Sequence, residues 1–402
     1  MTSAPRERPA LWPAYLATYT FMLGQWATGI AVPLHVQQLG GSLVEAGGIA
    51  AIRFGLGAVF QLPFGAVADA WGTRRTLFVA ITAMAAVNLV PIAAAITGSV
   101  APLYLWAVLS GLVVSLYLPA MSAYVAASAP DRSRGSAFGW LTLFTHTGVA
   151  SGPALGGILW EVTGVVPTYL VAAMLGLVAL IGPLLIAASV RTRVELTRLP
   201  GMVAAVARER VIVGAWLAAL AIGLPWGAVS GLFPIFGTSI GLAAGSIGLL
   251  LALQSVANAS SRVPAGRLID RRAVPPLAAA GGAAVYALVT SLLGLQTGAL
   301  GVAAVFVIGI VALGFTLMMV QVVITEVAPP ALRATGLGGY GTALSAGLGF
   351  GPIIAGALAD AGGFGLGFAV VAGMAVVVAA AAAFVLAGTR RGGRGWTVGR
   401  PN

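Results

Sequence analysis

One glycine–proline spacing occurs twice in this chain, 199 residues apart. The first copy runs Gly139, Gly148, Gly152-Pro153 and Gly156-Gly157, and the second runs Gly338, Gly347, Gly351-Pro352 and Ala355-Gly356. In both, eight residues separate the first two glycines, three precede Gly-Pro, and two precede the final small pair. The same offset pairs Arg134 with Arg333 and Glu161 with Asp360. The repeat also reaches beyond the motif. Pro63-x-Gly65-x-x-x-Asp69 returns as Pro264-x-Gly266-x-x-x-Asp270, and Trp26 returns as Trp226. A 402-residue chain built this way is two copies of one design, joined near residue 200. Duplicated halves with irregular helices are the pattern of transporters that rock around a central site.

The solvent for such a chain follows from its composition. It is 59% hydrophobic and only 8% charged, whereas a soluble domain carries about 25% charged residues. That much apolar surface requires a lipid bilayer. A spanning helix needs roughly 20 predominantly apolar residues, and twelve such runs lie near 11–36, 43–67, 76–97, 100–127, 135–161, 165–189, 211–238, 245–269, 275–297, 299–326, 334–360 and 363–388. The runs are continuous rather than alternating, which disfavours a β-barrel. The expectation is an all-α integral membrane protein with 12 transmembrane helices in two pseudo-symmetric six-helix bundles. Residues 1–189 form the first bundle, 190–210 a cytoplasmic linker, 211–388 the second bundle and 389–402 a basic cytoplasmic tail.

The formal charge of +11 comes entirely from Arg, since Lys is absent. Arginines cluster at the tails and in alternate loops, among them Arg74/Arg75, Arg132/Arg134, Arg191/Arg193/Arg198 and Arg267/Arg271/Arg272. Positive loops stay in the cytoplasm. The basic excess therefore reads as topology, placing both termini inside a multi-pass cell (inner) membrane protein, and not as a nucleic-acid footprint. The start of the chain lacks a signal-peptide cleavage pattern, so the first span is expected to act as its own insertion signal. With no cysteine, disulfide, thiolate and cysteine-metal chemistry are excluded. Two solitary histidines and no H-E-x-x-H pattern leave no catalytic constellation, metal site or cofactor motif, so no enzyme is expected.

The segment Gly65-Ala-Val-Ala-Asp69-Ala-Trp-Gly72-Thr-Arg74-Arg75 lies between the second and third spans. It resembles the loop signature of the major facilitator superfamily, G-x-x-x-D-x-x-G-x-R-R, and Gly139 to Gly157 is similar to the fifth-helix motif prominent in that family's drug:proton antiporters. In the family the loop cluster latches the outward-facing state. That implies a gating role for Gly65, Asp69, Gly72, Arg74 and Arg75, with Asp270 and Arg271 as a weaker copy. The fifth-helix residues Gly148, Gly152 and Gly156 repeat every four residues and form a smooth ridge for close helix packing, while Pro153 removes a backbone donor. Gly139, Gly157, Gly347, Gly351 and Pro352 complete the packing motif and its twin. One departure stands out. The drug antiporters carry an Arg in the fourth helix four residues before a glycine; here Gly111 matches, but that position is Ala107.

The resemblance implies a central cavity lined by the first, fourth, seventh and tenth spans. Aromatic and polarisable side chains there suit flat, greasy ligands, and Tyr19, Trp26, Tyr117, Trp226 and Gln321 are the candidate substrate contacts. Ionisable groups at membrane depth are functional candidates by default. Arg53 lies 16 residues before Asp69, about 24 Å along a helix, and either lines the cavity or reaches towards Glu45. His146, near the middle of the fifth span, is the candidate for proton coupling, set against a satisfied neutral histidine. His35, near the outer end of the first span, reads as interfacial.

The function expected is secondary active transport, with export of small hydrophobic or amphipathic compounds by proton antiport and alternating access. The alternative is a facilitator or importer of a specific small metabolite, an anionic one held by Arg53. The partners expected are a small-molecule substrate, protons as coupling ion and the bilayer, with the protein as a monomer.

Overall fold

The computed structural model describes residues 11–130, 133–186, 199–271, 274–329 and 332–387. Each of the twelve apolar runs is helical within them, and no β-strand occurs among the described residues. In the first half these are α1 (Trp12–Gln38), α2 (Leu43–Trp71), α3 (Thr73–Val87) continued by α4 (Val90–Thr97), α5 (Ala101–Ser128), α6 (Arg134–Thr163) and α7 (Val165–Ala179) continued by α8 (Ile181–Leu185). A short helix, α9 (Leu199–Ala207), follows. The second half comprises α10 (Arg210–Ser239), α11 (Ala244–Arg271), α12 (Leu277–Ser291), α13 (Ala299–Val327) and α14 (Arg333–Ala387). The last element is two helices meeting at Gly362 and Gly363, where the backbone leaves helical geometry. Residues 190–198 of the expected linker and the whole expected tail lie outside the described residues.

Eight of the described helical segments are long and apolar enough to cross a membrane by length and composition, and a count of twelve spans is compatible with them. Helices α1, α6 and α11, richer in polar side chains, fall outside that set. The outer faces of other helices are greasy. Leu300, Phe384, Ile96 and Val377 are each at least 70% exposed, which is tenable only against lipid. Inside, many hydroxyls return to the carbonyl one turn back, as Thr18 to Ala14 and Thr290 to Tyr286, which spares them bare exposure to an apolar interior.

The duplication is visible atom by atom. The turn after α1 closes with Gly40 N–H to Gln37 and Gly41 N–H to Val36, and the turn after α10 with Gly241 N–H to Thr238 and Leu242 N–H to Gly237. Gly164 and Gly363, 199 residues apart, have φ of 85° and 82°, a left-handed region that favours glycine. These turns sit at the end of the bundle where the loops 39–42, 98–100, 240–243, 296–298 and 362–363 hold no arginine.

At that arginine-poor end the halves touch through main chain. A Cβ added at Gly157 or Gly248 on the α6–α11 seam would collide with the carbonyl of Ala244 or Pro153. On the α2–α14 seam, Gly47 and Gly356 meet the carbonyls of Pro352 and Leu43 in the same way. The carboxylates of Glu161 and Asp360 then cap the facing helices: Glu161 Oε2 accepts Gly245 N–H at 2.8 Å, and Asp360 accepts Leu43 and Val44 N–H at 3.0 and 2.9 Å. Towards the arginine-rich end, Gly139 and Gly338 meet nothing within 4 Å among the described residues.

The ridge read from the sequence packs as expected within each half. Gly148, Gly152 and Gly156 lie on the backbone of Tyr19, Leu23 and Ala27 in α1, and Gly347 and Gly351 lie on that of Leu220 and Leu224 in α10. Gly139, expected in the same packing surface, is the exception.

Candidate substrate cavity

A cavity of about 290 Å³ opens on the inner face of the first half, and the second half reaches it through Ser345. Met22, Gln25 and Trp26 of α1 line it, with Arg53, Phe54, Gly57 and Gln61 of α2, Gly111, Val114, Ser115 and Leu118 of α5, Thr145 and Val149 of α6, and Ser345 of α14. Steps of three and one put Met22, Gln25 and Trp26 on one helical face. Gly111 brings α5 against α2, since a Cβ there would lie 2.7 Å from the Arg53 carbonyl oxygen. The glycine that fits the fourth-helix pattern is thus what seats Arg53.

Of the two expectations for Arg53, the structure shows the cavity. Glu45 is engaged elsewhere, its carboxylate accepting the Ser42 N–H at 2.8 Å in a capping box. The Arg53 guanidinium sits 5.6 Å from the Trp26 ring, 5.4 Å from Phe54 and 5.2 Å from Trp106, within cation–π range. Among the described residues its one hydrogen bond is a long contact, 3.5 Å, to the Gln25 carbonyl. Beside it Gln25 Nε2 donates to Ser110 Oγ at 2.7 Å. Gln25 Oε1 and Trp106 Nε1 are buried without a partner among the described residues.

The remaining candidates scatter. Trp26 and Trp226 both border a smaller void of about 40 Å³ together with Gln254; at the offset of 201 that the packing shows, Trp226 corresponds to Gln25, one residue from Trp26. Tyr117 lies in the core of the first half, fully buried, donating to Thr18 Oγ1 at 2.8 Å and stacked on Phe21 at 3.9 Å. Tyr19 is half-buried and does not line the cavity. Gln321 donates to the Tyr340 hydroxyl at 3.3 Å, away from the lining. His146 is half-buried on α6 and close enough to interact with Arg262 of α11 across the seam; Arg262 Nε donates to Asn258 Oδ1 at 3.4 Å. His35 corrects an expectation. It is 1% exposed rather than open to the membrane surface, with Nδ1 3.2 Å from the Tyr169 hydroxyl and its ring against Trp160, because α6 and α7 pack over it.

A cross-relation in the repeat emerges once the cavity is drawn. At the offset of 201, Arg53 corresponds to Gln254 and Gln61 to Arg262. Helices α2 and α11 therefore carry one Arg and one Gln eight residues apart, in opposite order. Sequence reading passed over Gln25, Phe54, Thr145 and Ser345. Gln25 left a signal, an amide in an otherwise apolar stretch one residue before Trp26.

At the arginine-rich end, Gly72 ends α2 with φ 86°, the tight turn the loop signature requires. Arg74 donates to the carbonyl of Pro183 at 3.1 Å and Arg75 lies over the Trp71 ring at 5.5 Å, so Arg74 ties the loop to the last turn of its own half. Gly65 approaches Pro119. The side chains of Asp69, Asp270 and Arg271 lie outside what is described.

A family model described as Major Facilitator Superfamily matches residues 14–347 and 215–400. An uncharacterized MFS-type transporter of Bacillus subtilis (strain 168) is 29% identical over 172 residues, 42% of this chain and 43% of that protein. The tetracenomycin C resistance and export protein of Streptomyces glaucescens is 28% identical over 193 residues, 47% of this chain and 35% of that protein. The matched stretches thus span less than half of either relative. Among solved structures, a bacterial homolog of the human lysosomal transporter Spinster, in an inward-facing and unoccupied conformation, superposes with a TM-score of 0.77 at 15% identity, covering 94% of this chain and 96% of that one. The nucleoside transporter NupG superposes with a TM-score of 0.73 at 14% identity, covering 93% and 98%. These likenesses establish the fold.

Proposed function

The chain belongs to the Major Facilitator Superfamily, and on that premise we propose that it exports small hydrophobic or amphipathic compounds by proton antiport with alternating access. The observation that carries this reading is the apolar cavity of about 290 Å³ in a molecule whose halves meet through main chain at the arginine-poor end. A pocket of this size suits a small drug-like molecule. Seams made of main chain can part without unlocking interdigitated side chains. Export is supported by the fifth-helix motif and by the similarity to a resistance and export protein. The arginine distribution supports a cell-membrane protein with both termini cytoplasmic, so the sealed end faces outward. We take the protein to act as a monomer, since each chain supplies a complete cavity.

For coupling, no acidic residue lines the cavity among the described residues. His146, facing Arg262 across the seam, is the titratable group placed to feel the halves separate. Inverted membrane vesicles with an imposed pH gradient test this reading. Gradient-driven accumulation of amphipathic compounds, lost in His146→Ala, is the expected result. Accumulation that ignores the gradient would favour facilitated transport of a specific metabolite, and undiminished driving in His146→Ala would remove the histidine from the mechanism.

A further inference from the structure

We propose that the cavity selects organic anions, compounds with one carboxylate or similar acidic group on a flat apolar body, and that Arg53, Trp106 and Gln25 form the anion subsite. This deepens the transport reading above and rests on it.

The charge balance of the lining comes first. Among the described cavity-lining residues Arg53 is the one charged side chain, and none is acidic. Three carboxylates are engaged elsewhere: Glu45 with the Ser42 backbone, Glu161 with Gly245, and Asp360 with Leu43 and Val44. Arg53 is half-buried, and a cation partly withdrawn from water without a counter-charge is unfavourable, which an arriving anion relieves.

Hydrogen-bonding capacity points the same way. A guanidinium carries five N–H donors in a planar fork that matches a carboxylate. Among the described residues only one contact of Arg53 is made, the long one to the Gln25 carbonyl. Trp106 is 1% exposed and borders a separate void of about 20 Å³ that Arg53 also lines, and its Nε1–H has no partner among the described residues. Gln25 is also 1% exposed, and one end of its amide is unpaired while the other meets Ser110. Turning that amide over lets Ser110 donate to the oxygen and frees the NH₂. The subsite then offers donors from three side chains and a positive charge. A cationic drug would meet the same charge as repulsion.

The rings fix the rest of the ligand. Trp26, Phe54 and Trp106 surround the guanidinium at 5.2–5.6 Å. They hold its plane and shield it from water, which strengthens a pair with a carboxylate. The apolar body would lie along Met22, Val114 and Leu118, the greasy part of the lining. Gly29 completes the site, since a Cβ there would stand 3.0 Å from the guanidinium.

Equilibrium dialysis with the purified full chain in lipid nanodiscs tests this, using three isosteric probes: 2-naphthoate, the neutral 2-naphthamide and the cationic 2-naphthylmethylammonium. The naphthoate is expected to bind at least about tenfold more tightly than the amide, the loss typical of one charge-assisted pair, and the cation most weakly. Arg53→Gln should abolish the preference for the anion, bringing naphthoate and naphthamide to within about twofold of each other. Arg53→Lys should retain part of the preference, and Trp106→Phe should reduce it. Equal affinity for naphthoate and naphthamide in the wild-type protein overturns the proposal without recourse to any variant, as does an undiminished preference in Arg53→Gln. Counterflow in proteoliposomes separates the two levels. Transport of amide or cation with no anion preference sinks the anion subsite and leaves the transporter standing, whereas selective naphthoate binding with no counterflow of any probe does the reverse.

Discussion

Asp360 of α14 accepts the backbone N–H groups of Leu43 and Val44 at the start of α2, in the other half of the molecule. Its equivalent in the repeat, Glu161, does the same for Gly245 of α11. Helix N-termini carry unsatisfied donors and partial positive charge. Each half thus supplies an anion to cap a helix of its partner, and both caps break when the arginine-poor end opens.

Asp360→Asn keeps the shape and removes the charge. A lost cap costs about 0.5–2 kcal/mol, so the ratio of closed to open forms should fall about two- to thirtyfold, and further with Glu161→Gln. The alkylation rate of a cysteine placed at Ala50, beside Gly231 on the seam, reads this directly. Identical rates with and without the carboxylates would mean that the caps do not hold the closed state.

Gln37 and Thr238 are equivalent positions, 201 residues apart, and they touch each other, with Thr238 Oγ1 at 2.8 Å from Gln37 Oε1. Residues related by a two-fold can meet only on its axis, so this contact marks the pseudo-axis at the closed end. The chain has no cysteine, which leaves a clean background. Gln37→Cys with Thr238→Cys, joined by a short thiol cross-linker, should stop transport, and a cleavable linker should restore it on reduction. Full transport by the cross-linked protein would show that the ends do not separate in the cycle.

Gly248→Ala puts a methyl group onto the Pro153 carbonyl, and Gly47→Ala does so at Pro352. Overpacking of this kind costs about 1–3 kcal/mol, so turnover should drop at least about fivefold in a protein that still purifies as a folded species. Gly139→Ala, with nothing within 4 Å, is the control, and its melting temperature should match or exceed the parent's because alanine favours helix. Equal turnover for all three variants would argue against a moving seam.

Tyr117→Phe removes the bond to Thr18 and should cost about 0.5–1.5 kcal/mol of stability, measured by thermal melting, with the order of preferred compounds unchanged. A switch in selectivity would place Tyr117 in contact with cargo after all.

Fold and seams were legible in the sequence because they depend on spacing. Glycines four residues apart must share a helical face, and a motif repeated at one offset must recur in equivalent places. The pairing of Glu161 with Asp360 was visible too, yet not its purpose, since no local pattern says which helix end will stand opposite a carboxylate. Arg53 shows the same limit. Its depth followed from the rise per residue, but whether it turned to Glu45 or to the cavity depended on the packing of α2 against α5 at Gly111. Tyr117 and Trp106 both lie on α5, and only the neighbours, Phe21 and Thr18 for one and Arg53 for the other, separate a core ring from a cavity wall.

The closed end is fastened largely by peptide carbonyls and α-carbons, with two carboxylates and the Gln37–Thr238 contact beside them, so much of its contact surface does not depend on side-chain identity. Recognition sits on other atoms, those of Gln25, Trp26, Arg53 and Trp106. Cargo preference can thus be rewritten by point changes in the pocket while the hinge-like joint keeps its form, and new specificities need no new machinery of motion.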